Sequence, residues 1–144
     1  MNIIATLQGK GLFHRTLQPL YLTMRGKSIL IVDDSPLITD RLQIMLNSME
    51  NISFVNTAGD YPSALHRLTE SLTDIVLLDI NLPGRSGIDL LRHIKANYPH
   101  TIVIMLSNQA GEYYRTICKR LGAEYFIDKS REFEQVPTVI ASTL

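Results

Sequence analysis

Two apolar runs end on carboxylates: Ser28-Ile29-Leu30-Ile31-Val32 meets Asp33-Asp34, and Ile75-Val76-Leu77-Leu78 meets Asp79. A third run, Ile102 to Leu106, ends at Ser107, and a fourth, Tyr125-Phe126-Ile127, leads into Asp128-Lys129. If the four runs are parallel strands of one sheet, carboxylates, a hydroxyl and an ammonium gather at one edge. That set suits phosphoryl transfer. Two carboxylates ~4 Å apart repel by about 4 kcal/mol at an effective dielectric of 20. Three acids against one lysine leave excess negative charge, which a hard divalent cation such as Mg²⁺ offsets through oxygen ligands. Asp79 could then act as a carboxylate nucleophile that takes up a phosphoryl group, with Mg²⁺ reducing its repulsion from the incoming phosphate.

Each residue also has a plainer reading. Asp33 or Asp34 could cap the following helix together with Ser35, Asp79 could be a strand-end turn residue, Ser107 a helix cap and Lys129 a solvated surface lysine. The functional reading gains its weight from the ordered set, since a second buried strand ends on an acid as the first does.

The elements that must position these groups alternate in type, as a parallel α/β sheet requires. The spacing predicts strands at 28–32, 52–56, 74–78, 102–106 and 124–128. The first helix starts at Ser35-Pro36 and carries Ile38, Leu42, Met45 and Met49 toward the sheet. Asp60 reads as an N-cap, with Ala64, Leu65 and Leu68 as the core face behind it. The third helix carries Ile88, Leu91 and Ile94 and stops near Tyr98-Pro99. The fourth spans roughly 111–121, with Gly122 as its stop. The segment from Arg131 holds a fifth helix that Pro137 makes short, late or kinked. The fold class is therefore α/β, a doubly wound sheet whose ligand site lies beyond the carboxyl ends of the strands.

At 144 residues the chain fits one domain that buries roughly two-thirds of its unfolded surface. Fourteen basic and fourteen acidic residues, with no basic cluster interleaved with aromatics, give no footprint of nucleic acid, so direct DNA binding is not expected. The single cysteine, Cys118, excludes an internal disulfide and a CxxC knuckle and suits a reducing, cytoplasmic setting; it reads as a half-buried helical residue. The first 32 residues hold no acid but carry Lys10, Arg15, Arg25 and Lys27. No stretch there is long enough to span a membrane. Residues 1–24 read as an N-terminal extension, mobile or preceding a true start at Met24, and 25–144 as the domain. Gly84 and Gly87 read as turn residues after Asp79. Neither GxxxxGK[ST] nor a GxGxxG after a strand occurs, so nucleotide binding has no support. His14, His66, His93 and His100 lack metal spacing.

The set Ile31-Val32-Asp33-Asp34-Ser35, Leu77 through Gly87, Met105-Leu106-Ser107 and Asp128-Lys129 resembles the receiver domain of bacterial two-component response regulators, over residues 26 to about 135. The resemblance implies a flavodoxin-like (βα)5 fold with strand order 2-1-3-4-5. It implies that Asp79 accepts a phosphoryl group from a sensor histidine kinase or a histidine phosphotransfer protein. Asp33 and Asp34 would organise Mg²⁺, with Asp79 and the backbone carbonyl of Asn81 completing the protein ligands. Ser107 would turn toward the phosphate, Lys129 would pair with it, and Phe126 would occupy the aromatic switch position, with Tyr125 adjacent. Phosphorylation would then alter the surface of the fourth helix, fifth strand and fifth helix, where a downstream output protein docks.

Three positions depart from the family pattern. Asn108 follows the switch hydroxyl where a small residue is usual, Ser130 follows Lys129 where proline is usual, and Phe126 has no hydroxyl, so a switch there works by packing. The sequence ends about where a receiver does, so a stand-alone regulator acting through partners is expected. Three other roles are open to such a chain. One is a shuttle that relays the phosphoryl group to another histidine, and a second is a degenerate receiver acting only as an interaction module. The third is a hydrolase of the aspartyl-phosphate type, disfavoured because Asn81 stands where that chemistry asks for an acid.

Overall fold

Strand β1 (Lys27–Val32) is an interior strand, next to the edge, of a sheet whose five strands are all parallel. The computed structural model describes residues 26–144, so the expectation for residues 1–24 lies outside the described residues. The remaining elements follow in strict alternation: α1 (Pro36–Asn47), β2 (Ile52–Ala58), α2 (Tyr61–Glu70), β3 (Ile75–Leu78), α3 (Gly87–Asn97), β4 (Ile102–Ser107), α4 (Glu112–Arg120), β5 (Tyr125–Asp128) and α5 (Val136–Ala141). The strand order is 2-1-3-4-5, the flavodoxin-like arrangement. Because β1 has β2 on one side and β3 on the other, the winding direction reverses between β1 and β3, which opens a crevice at their carboxyl ends.

Successive strand residues point to opposite faces, and the sheet uses this to bury both. Ile29, Ile31, Ile75, Leu77, Ile104, Leu106 and Ile127 pack with Leu42 and Leu46 of α1 and Val136 and Ile140 of α5. Leu30, Val32, Val76, Leu78, Val103 and Met105 pack with Ala64 and Leu68 of α2, Leu90, Leu91 and Ile94 of α3 and Cys118 of α4. Helices α1 and α5 therefore cover one face, and α2, α3 and α4 the other. A sheet covered on both faces explains why β3 is apolar throughout.

The boundaries depart from the sequence reading in physically informative ways. Strand β2 continues two residues past Asn56, to Ala58, because it pairs with β1 along its whole length, Val32 lying opposite Ala58. Asp74 stands outside β3; its carboxylate instead accepts from the Ser28 amide at 2.8 Å and the Ser28 hydroxyl at 3.2 Å, fastening the β1 and β3 entrances. Leu46 and Leu90 join the buried faces of α1 and α3. Cys118 is fully buried rather than half-buried, and burial raises its thiol pKa. Pro137 sits in the first turn of α5, where its missing N–H leaves no bond unmade. A single 3₁₀ turn, Phe133–Gln135, leads into that short helix.

Candidate functional site

Register brings the acids together. Val32 and Leu78 are partners across β1 and β3, and the Asp79 amide continues that ladder by donating to the Val32 carbonyl at 3.0 Å. The next residues, Asp33 and Asp79, therefore leave adjacent strand ends side by side. Carboxylate oxygens of Asp33, Asp34 and Asp79 all lie within 4.8 Å of one another. Asp33 and Asp79 are buried, at 4% and 6% exposure, while Asp34 is exposed. The cap of α1 is Ser35, whose hydroxyl accepts from the Ile38 amide. Neither aspartate serves as that N-cap, although Asp33 accepts from the Ser35 amide at 2.9 Å.

Strand β5 delivers the cation. Ser107 and Asp128 are the last partners of β4 and β5, and the Lys129 amide adds one more rung by donating to the Ser107 carbonyl at 3.0 Å. The Lys129 ammonium reaches back to Asp79 Oδ2 at 2.8 Å and to Asp33 Oδ2 at 2.6 Å. The sequence reading expects Lys129 to pair with a phosphate; here it meets both carboxylates directly. Burial alone would lower the Lys129 pKa, but the hydrogen bonds and charges of Asp33 and Asp79 outweigh it and hold the ammonium above its ordinary value. The lysine stays charged, and one positive charge still faces three carboxylates.

That remaining negative charge is what a hard divalent cation requires: oxygen ligands, few protein carboxylates and open access on one side. The donor set Asp33, Asp34 and Asp79 fits Mg²⁺ on these grounds. Asn81 stands two residues beyond Asp79, in the adjoining loop, where its amide donates to Asp79 Oδ1 at 3.3 Å.

Gly87 shapes the far wall. A Cβ there would lie 1.9 Å from the Asp79 carbonyl oxygen, so the start of α3 can approach β3 this closely only without a side chain. Its amide donates to the Ile80 carbonyl at 2.8 Å. Gly84 takes φ +77°, a conformation open to glycine at little expense.

Ser107 ends β4 fully buried, and its hydroxyl accepts from the Gln109 amide at 3.1 Å. Phe126 is part-buried on β5 beneath the Arg115 guanidinium, 4.9 Å from the ring centroid. Arg115 also donates to the Ala110 carbonyl at 2.9 Å and to Glu132 at 3.1 Å. Gln109 meets Asn81 at 3.1 Å, and Ser130 donates to Asn108 at 2.7 Å. The sequence reading missed Gln109, Arg115 and Glu132, and took Asn108 and Ser130 as separate departures. A polar residue two positions past Ser107 was a weak local signal for Gln109, whereas Arg115 and Glu132 are 17 residues apart and only the folded chain joins them.

The receiver domain model of response regulators matches residues 29–141. Among curated relatives, the Fimbriae Z protein of Salmonella typhimurium is 30% identical over 121 residues, covering 84% of this chain and 58% of that protein. The transcriptional regulatory protein MalR of Bacillus subtilis is 31% identical over 116 residues, covering 79% and 48% respectively. The chain thus spans about half the length of these relatives. Among solved structures, the response regulator TrrA of Thermotoga maritima, in complex with Mg²⁺ and BeF, superposes with TM-score 0.71 at 28% identity, covering 82% of this chain and 99% of that one.

Proposed function

The chain belongs to the response regulator receiver domain family, and on that premise we propose that Asp79 accepts a phosphoryl group from a phosphohistidine donor and that the phosphorylated protein signals by binding a partner. One observation carries this reading: the Lys129 ammonium is held between two buried carboxylates, Asp33 and Asp79, with Asp34 beside them at the carboxyl edge of the sheet. A structural ion pair would need one acid. Here two acids pair with one cation and a third acid lies beside them, at the topological switch point where doubly wound sheets bind ligands.

In the transfer, an Asp79 carboxylate oxygen forms a bond to phosphorus while the phosphorus–nitrogen bond to the donor imidazole breaks and its electron pair returns to the ring nitrogen. Lys129 orients the Asp79 carboxylate and offers its charge to the phosphoryl oxygens that arrive. Asp33, Asp34, Asp79 and the backbone of Asn81 would hold Mg²⁺, which supplies charge neutralisation between nucleophile and phosphate when bound. Ser107 would exchange its bond from the Gln109 amide for one to the phosphoryl group. The resulting movement of the loop after β4 is passed to the partner-binding face formed by α4, β5 and α5.

The donor is a sensor histidine kinase or a histidine phosphotransfer protein, and the reaction is a signalling modification rather than multiple-turnover catalysis. The reading includes a cytoplasmic setting and no direct DNA contact by this domain. Among the described residues no helix is long and apolar enough to cross a membrane. An interaction module that never takes phosphate is the alternative, and the complete set of acids and lysine weighs against it.

Incubation with Mg²⁺ and acetyl phosphate tests the reading. Wild type should gain one phosphoryl group by intact mass, and Asp79→Asn none. Unlabelled wild type, or equal labelling of both, would overturn it.

A further inference from the structure

Asn108 and Ser130 break the family pattern separately in sequence but touch in the fold. The Ser130 hydroxyl donates to Asn108 Oδ1 at 2.7 Å across 22 residues. Each follows directly on a residue that must meet the phosphoryl group, Ser107 and Lys129. The β4–β5 ladder ends with the Lys129 amide on the Ser107 carbonyl, so the Asn108–Ser130 bond is one further rung, made by side chains, beyond the last backbone rung.

We propose that this bond is a clasp that holds the loop after β4 in its unphosphorylated position and so raises the threshold for activation. The inference rests on the phosphoacceptor reading. In the clasped arrangement the Ser107 hydroxyl is occupied by the Gln109 amide at 3.1 Å, and Gln109 is itself tied to Asn81 at 3.1 Å. For Ser107 to turn toward a phosphoryl group on Asp79, residues 108–110 must move relative to the segment after β5. Lys129 is anchored on both Asp33 and Asp79, so the segment after β5 is the fixed side and the Asn108 loop the mobile one. Both clasp residues are exposed, so the bond competes with water and its weight is that of one ordinary neutral hydrogen bond. It is therefore a bias that phosphorylation overcomes.

Proline at position 130 would have no donor, and a small residue at 108 no acceptor. A chain with the usual residues lacks the clasp, so activation here should demand more of the ligand than in a variant without it. Asn108 and Ser130 are positioning residues, acting on Ser107 through the loop.

The test uses Ser130→Ala, Asn108→Ala and the double variant in the full chain. Ser130→Ala removes the bond and keeps the Asn108 bulk, so it separates the clasp from simple crowding. Beryllofluoride with Mg²⁺ is titrated by calorimetry, and exchange of the Gln109 amide is followed by NMR in the free protein. Each single variant should bind beryllofluoride about fivefold more tightly, the equivalent of one net hydrogen bond, and the double variant no more tightly than either single, as for two partners in one interaction. Gln109 exchange should quicken in all three. Unchanged or weaker affinity in Ser130→Ala, or independent effects that multiply in the double variant, would overturn the clasp while wild type still binds. Absence of any beryllofluoride response in wild type would overturn the phosphoacceptor reading, and the clasp with it.

Discussion

Lys129 neutralises buried charge that would otherwise oppose folding, and this gives the site residues unequal expected effects on stability. Its side chain is 9% exposed, against 3% for Asp33 and 7% for Asp79. Removing a cation from a buried ion pair leaves uncompensated charge, at about 3–5 kcal/mol. Lys129→Ala should therefore be destabilised by that order in urea unfolding with chelator present, and Mg²⁺ should restore part of the loss. Asp79→Asn removes one of three crowded negative charges and should lose far less; a Lys129→Ala variant as stable as wild type would contradict this charge balance. Glu132 allows a pH prediction. Its carboxylate accepts from the Asp128 amide at 3.0 Å and from Arg115, which hold its pKa below the usual carboxylate value. A carboxyl depressed in the folded state contributes stability above its unfolded pKa of about 4.3 and loses it as pH falls through the folded value. The stability difference between wild type and Glu132→Gln should thus be present at near-neutral pH and fade as the pH falls below the ordinary carboxylate value and through the lower folded one, read by urea unfolding across that acid range. A difference that persists or grows at the acid end would be the wrong sign.

At the scale of elements, the contact between α3 and the end of β3 is the least forgiving. With 1.9 Å between a Cβ at position 87 and the Asp79 carbonyl oxygen, Gly87→Ala must push the start of α3 away from the nucleophile's own backbone. Overpacking of this kind costs about 1–3 kcal/mol, and the displaced Asp79 should also weaken Mg²⁺ binding in a calorimetric titration. A change below about 0.5 kcal/mol, the range of an ordinary surface substitution, would mean that the helix start yields freely. Sequence marked Gly87 only as a turn residue, because the clash that demands glycine comes from residue 79 across the loop. The same division runs through the molecule. Strand ends were legible because an apolar run stopping at a charge is local information. Thus Asp33, Asp79, Ser107 and Lys129 were found before any pairing was known. The caps Ser35 and Asp60 and the stop at Gly122, which takes φ +102°, were legible for the same reason. Partnerships between distant segments were not: the Lys129–Asp33 bridge spans 96 residues, the Arg115 guanidinium over Phe126 joins two elements, and the Asn108–Ser130 bond closes only when β4 and β5 pair. Cys118 was underestimated in burial because its helix is polar over most of its surface, with Cys118 its one buried residue.

For the whole molecule, the site is a joint between strands, so a ligand there should stabilise the entire sheet. Asp33 extends β1, Asp79 extends β3 and Lys129 extends β5, and the apolar layers on both faces of the sheet lock those strands to helices α1 to α5. A cation that binds the folded acids and not the dispersed ones of the unfolded chain stabilises by mass action, about 2.7 kcal/mol at a hundredfold excess over its dissociation constant. For a domain of this size that corresponds to a rise in Tm of roughly 10 °C. The rise should follow the Mg²⁺ concentration and level off only logarithmically. Asp34→Asn should reduce it while leaving the chelated protein's Tm nearly unchanged, since Asp34 is exposed and lies outside the Lys129 pairing. Equal ionic strength supplied as sodium chloride should not reproduce it, because screening acts weakly on partly buried charges. A Tm that responds equally to both salts, or equally in wild type and Asp34→Asn, would mean that the three carboxylates do not act together as a cation site. Where the rise is specific, amide exchange at the carboxyl ends of β1 and β3 should slow with it, because the acids the cation would join extend those two strands.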